Sequence, residues 1–307
     1  MNIFHNIKDF KSEHPATVTL GTFDGVHLGH KKIIERLTAN SDGFNESLVL
    51  TFFPHPRMIL QENSDIRLLN TIEEKASLLE QAGLKNLIIH PFDRKFSELS
   101  AEAFAKSILS DIFNAKKIII GYDHRFGKNR SADISNLIEY GEKYGFEVEQ
   151  ISAEEIDAVS ISSTKIRKAL QEGDIHLANE YLGYDYFLSG KIIKGKQLGR
   201  TIGFPTANLK IEEDYKLIPQ NGVYVVRSSF KGEAIFGMMN IGTNPTVGGQ
   251  SRSIEIHFLD FEGDLYDEKM QVHLLHKIRS EKKFDSIDFL KIQLQKDKIA
   301  TQEFTDG

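Results

Sequence analysis

The chain contains no cysteine. That excludes disulfides, thiol nucleophiles and cysteine-ligated zinc. Positive charge is not in surplus either: the net charge is −6 at pH 7 and the pI is about 6.0. Such a balance argues against a nucleic-acid partner. No apolar run approaches the roughly 20 residues that a membrane span needs. The opening MNIFHNIKDFKSEH lacks the apolar stretch of a secretory signal. No internal repeat or low-complexity tract is visible. The expectation is a cytoplasmic protein without membrane association, a monomer or weak homo-oligomer.

What is present divides the 307 residues in two. Up to about residue 183, apolar β-rich runs recur at 17–20, 47–53, 86–92, 116–122 and 146–152. Stretches of helical period lie between them. Asn70 and Glu73 suggest a capped start to one helix, with Ile72, Ala76, Leu79 and Ala82 as its apolar stripe and Gly83 as its end. A second is expected over Asp133–Tyr144, closed by Gly145. Two short helices follow, one capped at Ser162-Ser163-Thr164 and one from Asp174 to about Leu182. This alternation predicts an α/β domain with a mostly parallel sheet over residues 1–183. Beyond 184, short strand-like runs follow one another, including YFLSGKII, GVYVVRSSF and SIEIHFLDF. They predict an antiparallel sandwich or barrel over 184–307, ending in a helix from about Asp285.

The densest stretch of the first half is GTFDGVHLGH, residues 21–30, between a strand and a helix. As a phosphate loop it fails, because His30 stands at the second glycine and Lys32 at the hydroxyl. Zinc would want a third ligand at suitable spacing, and no H-E-x-x-H pattern exists. Two imidazoles at a helix N-terminus, with Gly29 between them, suit an anion instead. Such a site stabilises charge on an α-phosphate as pyrophosphate leaves, with no protein nucleophile. Ser162, Ser163 and Thr164, with Arg167 one turn on, form a second possible anion clamp.

His27-Leu28-Gly29-His30 matches the H-x-G-H signature of nucleotidylyltransferases, and the longer run resembles its version in prokaryotic FAD synthetases. Thr51-Phe52-Phe53-Pro54-His55-Pro56 and Ile161-Ser162-Ser163-Thr164-Lys165-Ile166-Arg167 resemble two further motifs of that family. Gly121-Tyr122-Asp123-His124-Arg125-Phe126-Gly127 resembles a third, with His124 where the family has an aromatic and Ser131-Ala132 where it has a glycine. The resemblance implies a Rossmann-like nucleotidylyltransferase fold and an ATP site over Thr22, Phe23, Asp24, Gly25, Gly29, Ser162, Ser163, Thr164 and Arg167. His27 and His30 would be catalytic, and Asp123 would contact flavin.

In the second half, glycine and lysine interleave from Gly190 to Gly203, ahead of Pro205-Thr206-Ala207-Asn208. An extended backbone would point Thr206 and Asn208 the same way, as neutral oxygen donors suited to Mg²⁺ beside ATP phosphates. P-T-A-N alone is equally an ordinary turn. Alternation in Ile254-Glu255-Ile256-His257-Phe258 puts Glu255 and His257 on one face. The segment resembles riboflavin kinase, and the likeness continues through Asn221–Tyr224 and Asn240–Thr246 to Arg279 and Phe284. It implies a β-barrel in which Gly190, Gly195, Lys196 and Gly199 bind ATP and Thr206 and Asn208 hold Mg²⁺. Glu255 would be the base, and Arg279 and Phe284 would hold flavin.

Together the resemblances imply a bifunctional riboflavin kinase/FAD synthetase. Its substrates and products would be riboflavin, FMN, FAD, ATP, ADP and pyrophosphate. A kinase with a degenerate first domain, or a flavin-sensing regulator, are the rivals. Intact H-x-G-H, S-S-T-x-I-R, P-T-A-N and Glu255 weigh against both.

Overall fold

The computed structural model describes residues 1–11, 14–39, 46–62, 64–122, 124–155, 161–195, 198–246 and 249–306. Asp123 and Lys196 lie outside the described residues. Contacts divide the chain into Met1–Ser163 and Thr164–Gly307.

The first unit runs β1 (Asn2–Phe4), β2 (Ala16–Leu20), α1 (Leu28–Ala39), β3 (Glu46–Phe52), α2 (Pro56–Leu60), α3 (Ile72–Gln81) and β4 (Asn86–His90). It continues through α4 (Arg94–Ser97), α5 (Ala101–Phe104), β5 (Ala115–Gly121), α6 (Ile134–Tyr144) and β6 (Glu147–Ile151). The strands form one parallel six-stranded sheet in the order β1-β4-β3-β2-β5-β6. β2 is central and buried along its whole length. Alternate residues of the strands feed two cores. Val18, Leu48, Leu50, Ile88, Ile118 and Ile120 pack with Phe104, Leu109 and Leu137. Val49, Leu87, Ile89 and Ile119 pack with Ile33, Ile34, Leu37 and Leu79. The sheet is therefore covered on both faces, which is why its strands read as near-continuous apolar runs. After β2 the chain winds first to β3 and β4 and then returns to β5 on the other side. The carboxyl end of β2 is thus the switch point where such sheets bind ligands.

One predicted cap shifts by a residue. Thr71, not Asn70, starts α3: its hydroxyl accepts from the Glu74 N–H at 3.1 Å, and the Glu74 carboxylate accepts from the Thr71 N–H at 2.9 Å. A threonine–glutamate pair completes the reciprocal box that asparagine and Glu73 do not. The predicted stripe stands, with Ala76 and Leu79 buried. α6 starts at Asp133 and ends on left-handed Gly145, as expected. The stretch before β5, for which the periodicity gave no assignment, is α4, α5 and a π-helical turn over Ala105–Ser110.

Helix α7 (Ser163–Glu172) begins at the last residue of the first unit. The second unit then runs α8 (Ile175–Leu182), β7 (Phe187–Ile193), α9 (Leu198–Thr201), β8 (Ala207–Lys210), β9 (Gly222–Phe230), β10 (Glu233–Thr246), β11 (Gly249–Phe258), β12 (Lys269–Ser280) and α10 (Ile287–Asp306). Its strands close a barrel in the order β10-β11-β8-β7-β12-β9, antiparallel throughout. Closure leaves no free edge. Val225, Val226, Met239, Ile241, Ile256 and Leu274 are among its fully buried residues.

α10 is tied to β12 by a buried ion pair. Arg279 grips Asp297 through Nε at 2.9 and 3.1 Å and through Nη2 at 2.7 Å, and Asp297 is 1% exposed. Gln293 donates to the same carboxylate at 2.9 Å. Removing one partner strands the other's charge, so Asp297→Ala is expected to destabilise this unit by about 3–5 kcal/mol. Urea unfolding followed by circular dichroism checks this; a loss below about 1 kcal/mol, the value of an exposed pair, would refute it.

Candidate functional site

The turn 21–27 leaves β2 at the switch point, and five hydrogen bonds hold it in place. The Gly21 N–H donates to the Leu50 carbonyl at 3.1 Å. The Thr22 carbonyl accepts the Thr51 hydroxyl at 3.2 Å and the Lys75 ammonium at 2.7 Å. The Asp24 carboxylate, 1% exposed, accepts the Leu69 N–H at 2.9 Å. The Asp24 carbonyl accepts the Ser163 hydroxyl at 2.9 Å. Phe23 and Val26 are held at φ 45° and 35°, left-handed values that bulky and β-branched residues rarely adopt. Each costs about 1–3 kcal/mol. Both side chains are buried beside Ile33, Ile34 and Leu37, which offsets the strain.

The turn delivers two histidines to the start of α1. The Lys31 N–H donates to the His27 carbonyl at 2.9 Å, so His27 sits at the helix entrance. Its Nδ1 accepts the His30 N–H at 3.4 Å. The neutral His27 ring therefore carries its proton on Nε2. The two rings stack with centroids 3.6 Å apart, and Phe23 lies 5.0 Å from His30. His30 Nδ1 is sealed from solvent without a hydrogen-bond partner among the described residues. Burial, then the charges of His27 and Lys75, hold the His30 pKa well below its ordinary value. Gly25 in the turn and Gly29 at the start of α1 are both buried.

Two other motifs of the first half anchor the turn. Thr51 anchors Thr22, while His55 caps α2 by accepting the Arg57 N–H at 3.1 Å. Ser163 anchors Asp24; Ser162 is half-buried and Thr164 exposed, at the start of α7, with Arg167 one turn along. Lys75 was missed. It lies on the apolar stripe of α3, i+3 from Ile72 and i−4 from Leu79, and a lysine in that position was the available signal. A cavity of about 850 Å³ lies around Lys116, Lys117 and Glu147 at the amino ends of β5 and β6, away from the turn.

In the second unit, β11 places Glu255 between Asn208 of β8 and Asn240 of β10. The Thr206 hydroxyl donates to Glu255 Oε2 at 3.4 Å. Thr206, Asn208 and Glu255 therefore converge. His257, on the same face of β11, donates from Nδ1 to the Pro205 carbonyl at 2.8 Å and packs edge-on with Phe204. It pins the P-T-A-N segment to β11, and burial foremost lowers its pKa. At Gly195 a Cβ would sit 2.2 Å from Asn208 Nδ2 and would displace that amide. Gly199 lies in α9, where a Cβ would meet the Phe204 carbonyl at 2.2 Å, and Gly190 lies in β7. A cavity of about 230 Å³ opens beside Asn208, lined by Ile193, Leu209, Ile211, Ile218 and Arg252. Arg279 is committed to Asp297, and its guanidinium lies 5.8 Å from the Phe284 ring centroid.

Comparison with known proteins follows these two sites. The model of a family described as FAD synthetase matches residues 9–165, and that of riboflavin kinase matches 182–305. Bifunctional riboflavin kinase/FMN adenylyltransferases of Haemophilus influenzae and Listeria monocytogenes are each 38% identical over 94% of this chain, covering 94% and 91% of their own lengths. That of Escherichia coli K12 is 36% identical over 98% of this chain and 96% of its own. A crystal structure from Streptococcus pneumoniae, described as a macrolide-efflux protein, superposes with a TM-score of 0.87 at 31% identity, over 98% of both chains. In the present chain no helix among the described residues is long and apolar enough to cross a membrane.

The lowered His30 pKa has a stability consequence. In the unfolded chain this ring takes up a proton near pH 6.5, while the folded site resists it. Its contribution is therefore present above about pH 6.5 and lost as pH falls. Urea midpoints of the first unit are expected to drop between about pH 7.5 and 5.5, and to drop less in His30→Gln. Equal drops in parent and variant would remove His30 from this account.

Proposed function

The chain belongs to the family of bifunctional riboflavin kinases/FMN adenylyltransferases, and from that membership we propose how its two activities divide along the sequence. The protein makes FAD in two ATP-dependent steps. Riboflavin takes a phosphoryl group to give FMN; FMN takes an adenylyl group to give FAD and pyrophosphate. We assign adenylylation to a domain of residues 1–183 and phosphorylation to residues 184–307.

For adenylylation, the carrying observation is the stacked pair His27 and His30 on an immobilised turn at the switch point. The FMN phosphate attacks the α-phosphorus in line as the bond to pyrophosphate breaks. His27 offers its Nε2–H to the charge growing on the α-phosphate, and the free N–H groups at the α1 start add to it. Thr22, Phe23, Asp24, Gly25 and Gly29 shape the nucleotide's seat. Ser162, Ser163, Thr164 and Arg167 take the departing phosphates, and Asp123 contacts flavin.

For phosphorylation, the carrying observation is the convergence of Thr206, Asn208 and Glu255. Glu255 takes the proton of the riboflavin primary hydroxyl as that oxygen attacks the γ-phosphorus, and ADP leaves. A hydroxyl, an amide and one carboxylate form an all-oxygen donor set that fits Mg²⁺. Thr206 and Asn208 would hold that ion, which when bound neutralises the phosphates. Gly190, Gly195, Lys196 and Gly199 line the path of the ATP phosphates. Phe284 and Arg279 frame the flavin, Arg279 from its fixed place on Asp297.

The division is tested by separating FMN from FAD over time with riboflavin, ATP and Mg²⁺. His30→Ala is expected to slow FAD formation by about 10²–10³ and leave FMN formation intact. Glu255→Gln is expected to slow FMN formation by about 10²–10⁴ while FAD still forms from supplied FMN. Loss of both activities in either variant would sink the assignment of separate sites.

A further inference from the structure

Lys75 is 2% exposed, and its ammonium makes a single hydrogen bond among the described residues, to the Thr22 carbonyl at 2.7 Å. A buried ammonium has three donors to satisfy. Two remain without protein partners here, in the wall of the turn that carries His27 and His30. Its backbone sits in the first turns of α3, locked by the Thr71–Glu74 box, so the side chain is delivered from a rigid element.

We propose that Lys75 is a positioning residue for adenylyl transfer: it fixes the turn through Thr22 and places a positive charge in the wall of the site that His27 and His30 form. This rests on the assignment of adenylylation to His27 and His30. A simple packing role would be served better by an apolar side chain, as at Ala76 and Leu79 of the same stripe. The charge is instead kept, and Asp24 across the turn favours it; burial still brings the Lys75 pKa down to about 8. Burial acts first on His30, then His27 from the helix entrance and Lys75 from α3, whose charged form Asp24 favours. All of these disfavour an imidazolium at His30, so its ring stays neutral.

The experiment uses the intact chain with FMN, ATP and Mg²⁺. FAD formation is measured in parent, Lys75→Met, Lys75→Arg and His30→Ala. The His30 ring is titrated by NMR, its signal identified by its loss in His30→Ala. Lys75→Met is expected to lower kcat about ten- to a hundredfold with a small change in KM for FMN, and to move the His30 titration to higher pH. Lys75→Arg is expected to restore most of the rate and the parental titration. A parental rate in Lys75→Met overturns the proposal, and so does a lost rate with His30 titrating as in the parent. If Lys75→Met does not fold, Lys75→Gln, which keeps a donor and drops the charge, carries the same outcomes. Failure of both to fold assigns Lys75 to stability and also overturns it. Unimpaired FAD formation in His30→Ala would instead remove the site assignment on which the proposal rests.

Discussion

One backbone carbonyl organises the first unit. Thr22 O receives a hydroxyl from β3 and an ammonium from α3, so a strand and a helix converge on a single acceptor. The turn around it is in a conformation its residues disfavour, with Phe23 and Val26 both left-handed. Nothing local would keep it there. The tethers to Thr22 and Asp24, and the burial of both side chains, over-determine the geometry and hold the imidazoles stacked at the helix entrance. The reactive end of the sheet is thus rigid before any ligand arrives.

The second unit reaches comparable rigidity by different means. There the functional side chains project from strands, and cross-strand register does the positioning. Asn240, Glu255 and Asn208 are neighbours because β10, β11 and β8 are adjacent in a closed barrel. Loop residues are pinned onto that frame by single bonds, as His257 pins Pro205. Glycines clear the space around this frame, at Gly195 against Asn208 and at Gly199 against the Phe204 carbonyl.

Much of this was legible in the sequence, for physical reasons that differ by element. A doubly covered parallel sheet writes itself as apolar runs, and the strands at 17–20 and 86–92 were read from that alone. Helix ends with aspartate caps and left-handed glycines, as at Asp133 and Gly145, leave equally plain marks. The α3 start was displaced by one residue because Asn70 and Thr71 are both capable caps and only the reciprocal partner decides. β8 was extended only by supposition, since a four-residue strand within P-T-A-N-L-K carries too little pattern. Lys75 escaped because a charged residue in a helix is ordinarily a solvated one. Its burial depends on the Thr22 carbonyl, which no one-dimensional pattern brings near. Likewise Arg279 read as a ligand group, while its partner Asp297 lies in a helix whose charges all look alike in sequence.

The Arg279–Asp297 pair has a consequence for how related chains diverge. Either change alone leaves a buried charge uncompensated, so drift through single substitutions is blocked at both positions. Since Arg279, by our proposal, also frames the flavin, the pair is retained together. Positions 279 and 297 should therefore behave as one inherited character, a two-letter word spelled across a strand and a helix.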